Sequence, residues 1–298
     1  MARFHKMHGL GNDFVVLDAR EETIAITPER ARAVADRRTG VGCDQVILVE
    51  PAPEGVSMRI WNADGGEVEA CGNAARCVAA LTGGGAIRTA GGVLDSEALG
   101  EGASVTLPPP RFEWDAIPLA YPTPTDELPV GWEVGGAWLD KPAAVNVGNP
   151  HLVFIQEGIE AEWLIEAGPT IENDPLFPER INVNVVTPYS GNVLALHTWE
   201  RGAGLTRACG TGACATAVVG IRRGLVRSPV IVSMLGGELE IAWAPGEPIL
   251  MTGPATHVFT GEIDLEAVVP ANAGTSTEVR AQSHRDSRFR GNDGMANG

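Results

Sequence analysis

Two cysteines stand in matched surroundings, Glu69-Ala70-Cys71-Gly72-Asn73-Ala74-Ala75 and Arg207-Ala208-Cys209-Gly210-Thr211-Gly212-Ala213. A thiolate can take a proton from carbon, and a thiol on the opposite face can deliver a different one. Strong helix formers follow each cysteine, so each is expected at the mouth of a helix. Unpaired N–H groups there, with the helix dipole, favour an anion. They are expected to lower the thiol pKa and to cradle a carboxylate. The glycines after each cysteine let a ligand approach the backbone closely. Two such mouths facing each other would put a sulfur on each side of one α-carbon, the geometry that inverting a stereocentre requires.

The other three cysteines, Cys43, Cys77 and Cys214, read as packing residues. An odd number of cysteines argues against a disulfide framework, and no Cys-x-x-Cys or histidine cluster suggests zinc. Cys71 and Cys209 could pair as a disulfide in oxidised, inactive protein. No metal and no cofactor is expected.

The elements that must position these thiols come in duplicate. The cysteines lie 138 positions apart, Trp61-Asn62 and Trp199-Glu200 repeat at the same offset, and Gly11-Asn12 and Gly148-Asn149 nearly so. Apolar runs at 13–17, 45–49, 58–61, 152–155, 181–186 and 193–199 read as strands. Thr27-Pro28-Glu29 opens a helix, expected to stop at Gly40. The fold class is α+β, with strands outnumbering helices and two similar domains. The halves are expected at 1–113, rejoined by 256–270, and at 114–255, with a loop-rich boundary in 108–144. Residues 271–298 show no apolar periodicity and are expected to form a disordered tail.

The formal net charge of −16 would repel phosphate backbones, which argues against nucleic acid. No apolar run approaches a membrane span, and the N-terminus lacks a signal core. The expected location is cytoplasmic, with no membrane partner.

Several strings in order resemble the diaminopimelate epimerase family over residues 4–265. They are Lys6-Met7-His8-Gly9-Leu10-Gly11-Asn12-Asp13-Phe14, Gly40-Val41-Gly42-Cys43-Asp44-Gln45, Asn62-Ala63-Asp64-Gly65 and Cys71-Gly72-Asn73 in the first half. Gly148-Asn149-Pro150-His151, Arg180-Ile181-Asn182, Glu200-Arg201-Gly202 and Ala208-Cys209-Gly210-Thr211-Gly212 continue the match in the second.

The resemblance implies two pseudo-symmetric domains, each a strand-wrapped barrel around a central helix. It implies conversion of LL-diaminopimelate to the meso form without a cofactor, on the route to lysine and peptidoglycan, by a homodimer. It makes Cys71 and Cys209 the acid–base pair, with His151 and Glu200 beside the thiols. Gly72, Asn73, Gly210 and Thr211 would hold the reacting carboxylate through their backbone. Asn12, Gln45, Asn62, Asn149, Asn182, Glu200 and Arg201 would bind the substrate's other polar groups.

Plainer roles compete. Asn12 and Asn149 could be turn residues, Glu200 and Arg201 an exposed ion pair, and Trp61 and Trp199 domain core. Proline and hydroxyproline racemases are similar in fold but show Cys-Gly-His where this chain has Asn73. A branch of the fold that replaces the thiols with a carboxylate, a catalytically dead binding protein and a redox sensor are further readings. Each fits the retained thiols and asparagines less well. Ala74, where relatives often carry glycine, is a mild departure.

Overall fold

A computed structural model describes residues 1–69, 71–134, 136–156, 161–189 and 191–268. The first half runs β1 (Ala2–Gly9), β2 (Asn12–Asp18), α1 (Pro28–Ala35), β3 (Gln45–Pro51), β4 (Val56–Asn62), β5 (Glu67–Val68), α2 (Gly72–Thr82), β6 (Gly85–Thr89), β7 (Gly92–Leu99) and β8 (Gly102–Leu107). A short hairpin follows, β9 (Gly131–Val134) and β10 (Ala137–Asp140), inside the stretch expected to be loop. Then come β11 (Ala143–Asn146), β12 (Pro150–Ile155), α3 (Trp163–Glu172), β13 (Asn182–Tyr189), β14 (Val193–Glu200), β15 (Gly204–Thr206) and α4 (Gly210–Arg222). Finally β16 (Val230–Met234), β17 (Gly237–Ala242), β18 (Ile249–Pro254) and β19 (Thr256–Ile263) complete the described chain. The expected tail from 271 lies outside the described residues.

The pairing repeats. In the first half β1–β2 is antiparallel, β2–β3 parallel, β3–β4 antiparallel, β4–β6 parallel, and β6–β7–β8 antiparallel. The second half follows the same series through β11–β12, β12–β13, β13–β14, β14–β16 and β16–β17–β18. The fold is α+β, as expected from the patterning. The halves meet where their equivalent strands, β8 and β18, pair antiparallel, with Met251 opposite Val105. β19 then crosses back to pair with β1.

Each barrel wall is apolar on both faces, which makes its inner strands continuous hydrophobic runs rather than alternating ones. On β3, Val46 and Leu48 pack outward with Ala31 and Val34 of α1, while Ile47 and Val49 pack inward with Ala75 and Val78 of α2. On β12, Leu152 and Phe154 face Leu164, Ala167 and Ile171 of α3, while Val153 faces inward with α4. The two central helices, α2 and α4, share one core, so the thiols at their heads have a common foundation. Gly220 of α4 has room for no side chain, since a Cβ would come 2.9 Å from Leu194 and from Val226.

Helix α1 begins as its sequence directs. Thr27 caps it by accepting the Arg30 N–H at 3.3 Å, with Pro28 first in the helix. It ends at Ala35, before the expected stop at Gly40. The Asp36 carboxylate accepts the N–H groups of Arg38 and Thr39, both at 2.7 Å, and turns the chain out of the helix.

Candidate active site

Cys71 is the N-cap of α2, in extended conformation, and Gly83 closes that helix at φ 88°. The residue is partly buried. Its S–H points to Asn12 Oδ1 at 3.8 Å, delivered by a turn with Leu10 and Gly11 at φ 58° and 90°. The Asn12 amide is fixed from behind, because its Nδ2 donates to Asp44 Oδ2 at 3.1 Å. Arg37 holds Asp44 at 2.7 Å and also pairs with Asp13, which Lys6 contacts as well. These cations keep the Asp13 carboxyl well below the usual carboxylate range. Asn73, first after Gly72 in the helix, donates to Asn12 Oδ1 at 3.3 Å and to the Ala208 carbonyl at 3.4 Å. That second bond joins the two cysteine turns directly, since Ala208 precedes Cys209.

Cys209 caps α4 and is buried. Its sulfur accepts the Gly212 N–H at 3.3 Å and lies 3.6 Å from Thr211 Oγ1. Glu200 lies within the electrostatic reach of this thiol, and its carboxylate accepts from the Thr206 hydroxyl at 2.6 Å. Glu200 ends β14, and the return strand β15 carries Thr206 back beside it. Burial pushes the Glu200 carboxyl above its ordinary value, against the pull of the Thr206 hydroxyl. The charge of Glu200 also reaches Cys71, raising that thiol as well. One carboxylate therefore addresses both sulfurs.

Met251 fills the space between the two mouths. A Cβ on Gly72 would come 2.8 Å from its Cε, and one on Gly210 3.2 Å from its Sδ. Met251, on the β8–β18 seam, would have to shift to admit a side chain at either position. Behind it, the N–H groups of the first turn remain free of helical partners, as the first α2 bond runs from Ala75 to Cys71 and the first α4 bond from Ala213 to Cys209.

The expectation that helix mouths lower the thiol pKa is corrected in its net result. The Asn73 and Ala74 N–H groups pull Cys71 down, and Gly212 and Thr211 pull Cys209 down. Loss of water outweighs them at both sulfurs, and both thiols are raised. The resting groups are thiols.

The polar residues form two further clusters. Gln45 Nε2 donates to Asn62 Oδ1 at 2.8 Å, the two being paired across β3 and β4, while Gln45 Oε1 is buried and has no hydrogen-bond partner among the described residues. In the second half Asn182 Nδ2 donates to the Pro150 carbonyl at 2.7 Å and its Oδ1 accepts the Arg201 N–H at 2.9 Å. The Arg201 guanidinium donates to the Glu179 carbonyl at 2.8 Å, and no ion pair joins it to Glu200 among the described residues.

His151 is fully buried and, among the described residues, hydrogen-bonds to neither sulfur. Its Nδ1 accepts from Asn184 Nδ2 at 3.0 Å and its Nε2 is 2.9 Å from Asn149 Oδ1. The Asn184 amide is oriented by donating to the Leu152 carbonyl and accepting from the Thr198 hydroxyl, both at 3.0 Å. The ring is thus neutral with its proton on Nε2. Burial holds its pKa down at about 3, and the nearby Arg201 charge acts in the same direction. The network still abuts the second mouth, because a Cβ on Gly212 would come 2.8 Å from Asn184 Oδ1.

A family model described as diaminopimelate epimerase matches residues 4–110 and 143–258. The chain belongs to that family. It is 61% identical over 264 residues to a diaminopimelate epimerase of Sphingopyxis alaskensis, covering 88% of this chain and 97% of the relative. A diaminopimelate epimerase of Rhizorhabdus wittichii is 61% identical over 268 residues, covering 89% and 96%. Among solved structures, a probable proline racemase from Agrobacterium radiobacter superposes with TM-score 0.65 at 16% identity, over 89% of this chain and 93% of that one. A hydroxyproline epimerase from Agrobacterium vitis superposes with TM-score 0.62 at 14% identity, over 88% and 90%. These two share the fold.

Within this diaminopimelate epimerase family member, several residues shape the site without having been singled out from sequence. Asp44 fixes Asn12, Thr206 fixes Glu200, Asn184 and Thr198 fix His151, and Met251 spaces the mouths. Glu172 is buried at the end of α3 and accepts from Trp199 Nε1 at 2.7 Å and from the Gly202 N–H at 2.9 Å. It therefore grips the chain on either side of Glu200-Arg201. Trp61 is core, as expected, but Trp199 is also part of this grip.

Proposed function

We propose that this chain epimerises diaminopimelate, interconverting the LL and meso forms without a cofactor, in lysine and peptidoglycan biosynthesis. In this reading Cys71 and Cys209 are its acid and base. The observation that carries it is the junction of the two mouths, where Asn73 bonds the Ala208 carbonyl and Met251 lies against both Gly72 and Gly210.

The substrate's α-carboxylate lies on the N–H groups at Gly72-Asn73 and Gly210-Thr211, where oriented dipoles receive the charge that builds up as the α-proton leaves. Glu200 takes the Cys209 proton. Burial raises the basicity of its carboxylate, which favours that transfer. The Cys209 thiolate removes the α-proton and becomes a thiol again. The Cys71 S–H proton is delivered to the opposite face, leaving Cys71 as thiolate; after product leaves, exchange with water removes the proton from Glu200 and restores one to Cys71, and the reverse reaction exchanges the roles of the two thiols. Asn12, Gln45, Asn62, Asn149, Asn182 and Arg201 bind the distal ammonium and carboxylate, with Gln45 Oε1 a ready acceptor for the ammonium. His151 supports the second mouth through Asn184 and Asn149. The reading includes a cytoplasmic homodimer, the latter checked by sedimentation.

The test is incubation of reduced protein with LL-diaminopimelate in D2O, following α-deuterium and the meso product. L-proline and 4-hydroxyproline serve as control substrates. Deuterated meso product lost in both Cys71→Ala and Cys209→Ala supports the reading. No exchange from fully reduced protein overturns it, and exchange of proline alone reassigns the substrate.

A further inference from the structure

Arg76 is 0% exposed, an arginine sunk into the core on the second turn of α2, five residues after Cys71. Its guanidinium donates to Asn73 Oδ1 at 2.9 Å and to the Pro254 carbonyl at 3.5 Å, and rests 3.3 Å from Met251 Sδ. Among the described residues no carboxylate pairs with it. Two strand glycines leave room for it: a Cβ on Gly9 would come 3.1 Å from its Nη2, and one on Gly253 3.5 Å from its Nε. A buried cation without a counter-charge is costly, and such groups are paired or await an anion.

Three thiols lie within its field, Cys71, Cys77 and Cys214. Burial pushes Cys77 and Cys214 up to about 12, so neither supplies the missing charge near neutral pH. Only Cys71 borders the ligand side. The position equivalent to Arg76 in α4 is the neutral Cys214, so this cation has no twin in the second half.

We propose that Arg76 is the site's built-in counter-ion, a positioning residue that fixes Asn73 across both mouths and sets its charge behind the anions gathered at the head of α2. Those anions are the Cys71 thiolate and the substrate's α-carboxylate. The inference rests on the reading of Cys71 as an acid–base group.

The experiment compares wild type, Arg76→Gln and Arg76→Lys, each checked for folding by circular dichroism. Two readouts are taken: the pH dependence of Cys71 alkylation by iodoacetamide, resolved by peptide mass spectrometry, and the pH profile of kcat/KM in the direction where Cys71 is the base. Removing the cation raises the thiol pKa. Arg76→Gln is therefore expected to move the alkylation midpoint and the acidic limb up by about one unit and to lower kcat/KM by about 100-fold. Arg76→Lys returns both to near wild type. A merely structural Arg76 would leave the midpoint unmoved in Arg76→Gln, or would leave Lys as defective as Gln, and either result overturns the proposal. If Arg76→Gln does not fold, the neutral and apolar Arg76→Met takes its place: a raised midpoint supports the proposal and an unmoved one overturns it. Alkylation reads the charge whether or not Cys71 is catalytic, so loss of exchange chemistry in the wild type would count against the epimerase reading alone.

Discussion

The two helix mouths are built alike and charged oppositely. Asn62 ends β4 where Glu200 ends β14, and Arg76 stands in α2 where Cys214 stands in α4. The first mouth therefore has a cation behind it and a neutral amide beside it; the second has a carboxylate beside it and a neutral thiol behind it. Cys71 is partly buried with its S–H on an amide oxygen, while Cys209 is buried beside a carboxylate. Symmetric backbone gives two faces for one carbon. In the proposed reaction, asymmetric charge would give the two thiols different tasks at any instant, which proton delivery on one face and removal on the other demands.

The largest effect should come from deleting either thiol. Cys71→Ala and Cys209→Ala are each expected to lower kcat for epimerisation by about 10³-fold or more. A variant retaining a tenth of the wild-type rate would show that one sulfur is dispensable. Glu200→Asn makes the second mouth copy the first. Its kcat should fall by about 10²- to 10³-fold, with folding intact by near-ultraviolet circular dichroism. An unchanged kcat would mean that the opposite charges do not divide the labour.

Next comes a pH effect confined to the second half. His151 is held neutral in the fold down to about pH 3, while in the unfolded chain it gains a proton below its ordinary 6.5. Between these values the unfolded state binds the extra proton, so stability falls as pH drops through this window. The loss is up to a few kcal/mol, at about 1.4 kcal/mol per unit. Urea unfolding of wild type should show that slope and His151→Gln a flatter one; parallel slopes would remove His151 as the cause.

The smallest effect is expected from Glu172→Gln, which weakens the grip on Trp199 and Gly202. A loss of about 1–2 kcal/mol in stability is expected, with a several-fold drop in kcat/KM for diaminopimelate. Equal activity would show that Glu200-Arg201 holds its shape without that anchor.

What was legible in the sequence was local or repeated. The doubled Ala-Cys-Gly strings, the helix formers behind them and the caps at Thr27 and Gly83 act over a few residues, and the structure places both cysteines at helix mouths as those signals require. The net direction of the thiol shifts was not legible, because water exclusion is set by strands far away in the chain. The same holds for His151, whose partner Asn184 lies on a neighbouring strand, and for Glu172, which reads as an ordinary helix glutamate until Trp199 packs on Gly168. The early end of α1 was visible in principle, since Asp36 can capture the next N–H groups, but Gly40 is the louder signal. Gly40 is required for another reason: a Cβ there would meet the Ala33 carbonyl at 2.1 Å.

The β8–β18 seam has a genetic consequence. Equivalent strands pairing antiparallel is what two identical half-chains would do about a twofold axis. In such a pair every substitution would strike both mouths at once, so an arginine behind one thiol would stand behind the other as well. Joined in one polypeptide, each codon addresses one mouth. The covalent link between the halves is what allows Arg76 and Glu200 to exist without their mirror images.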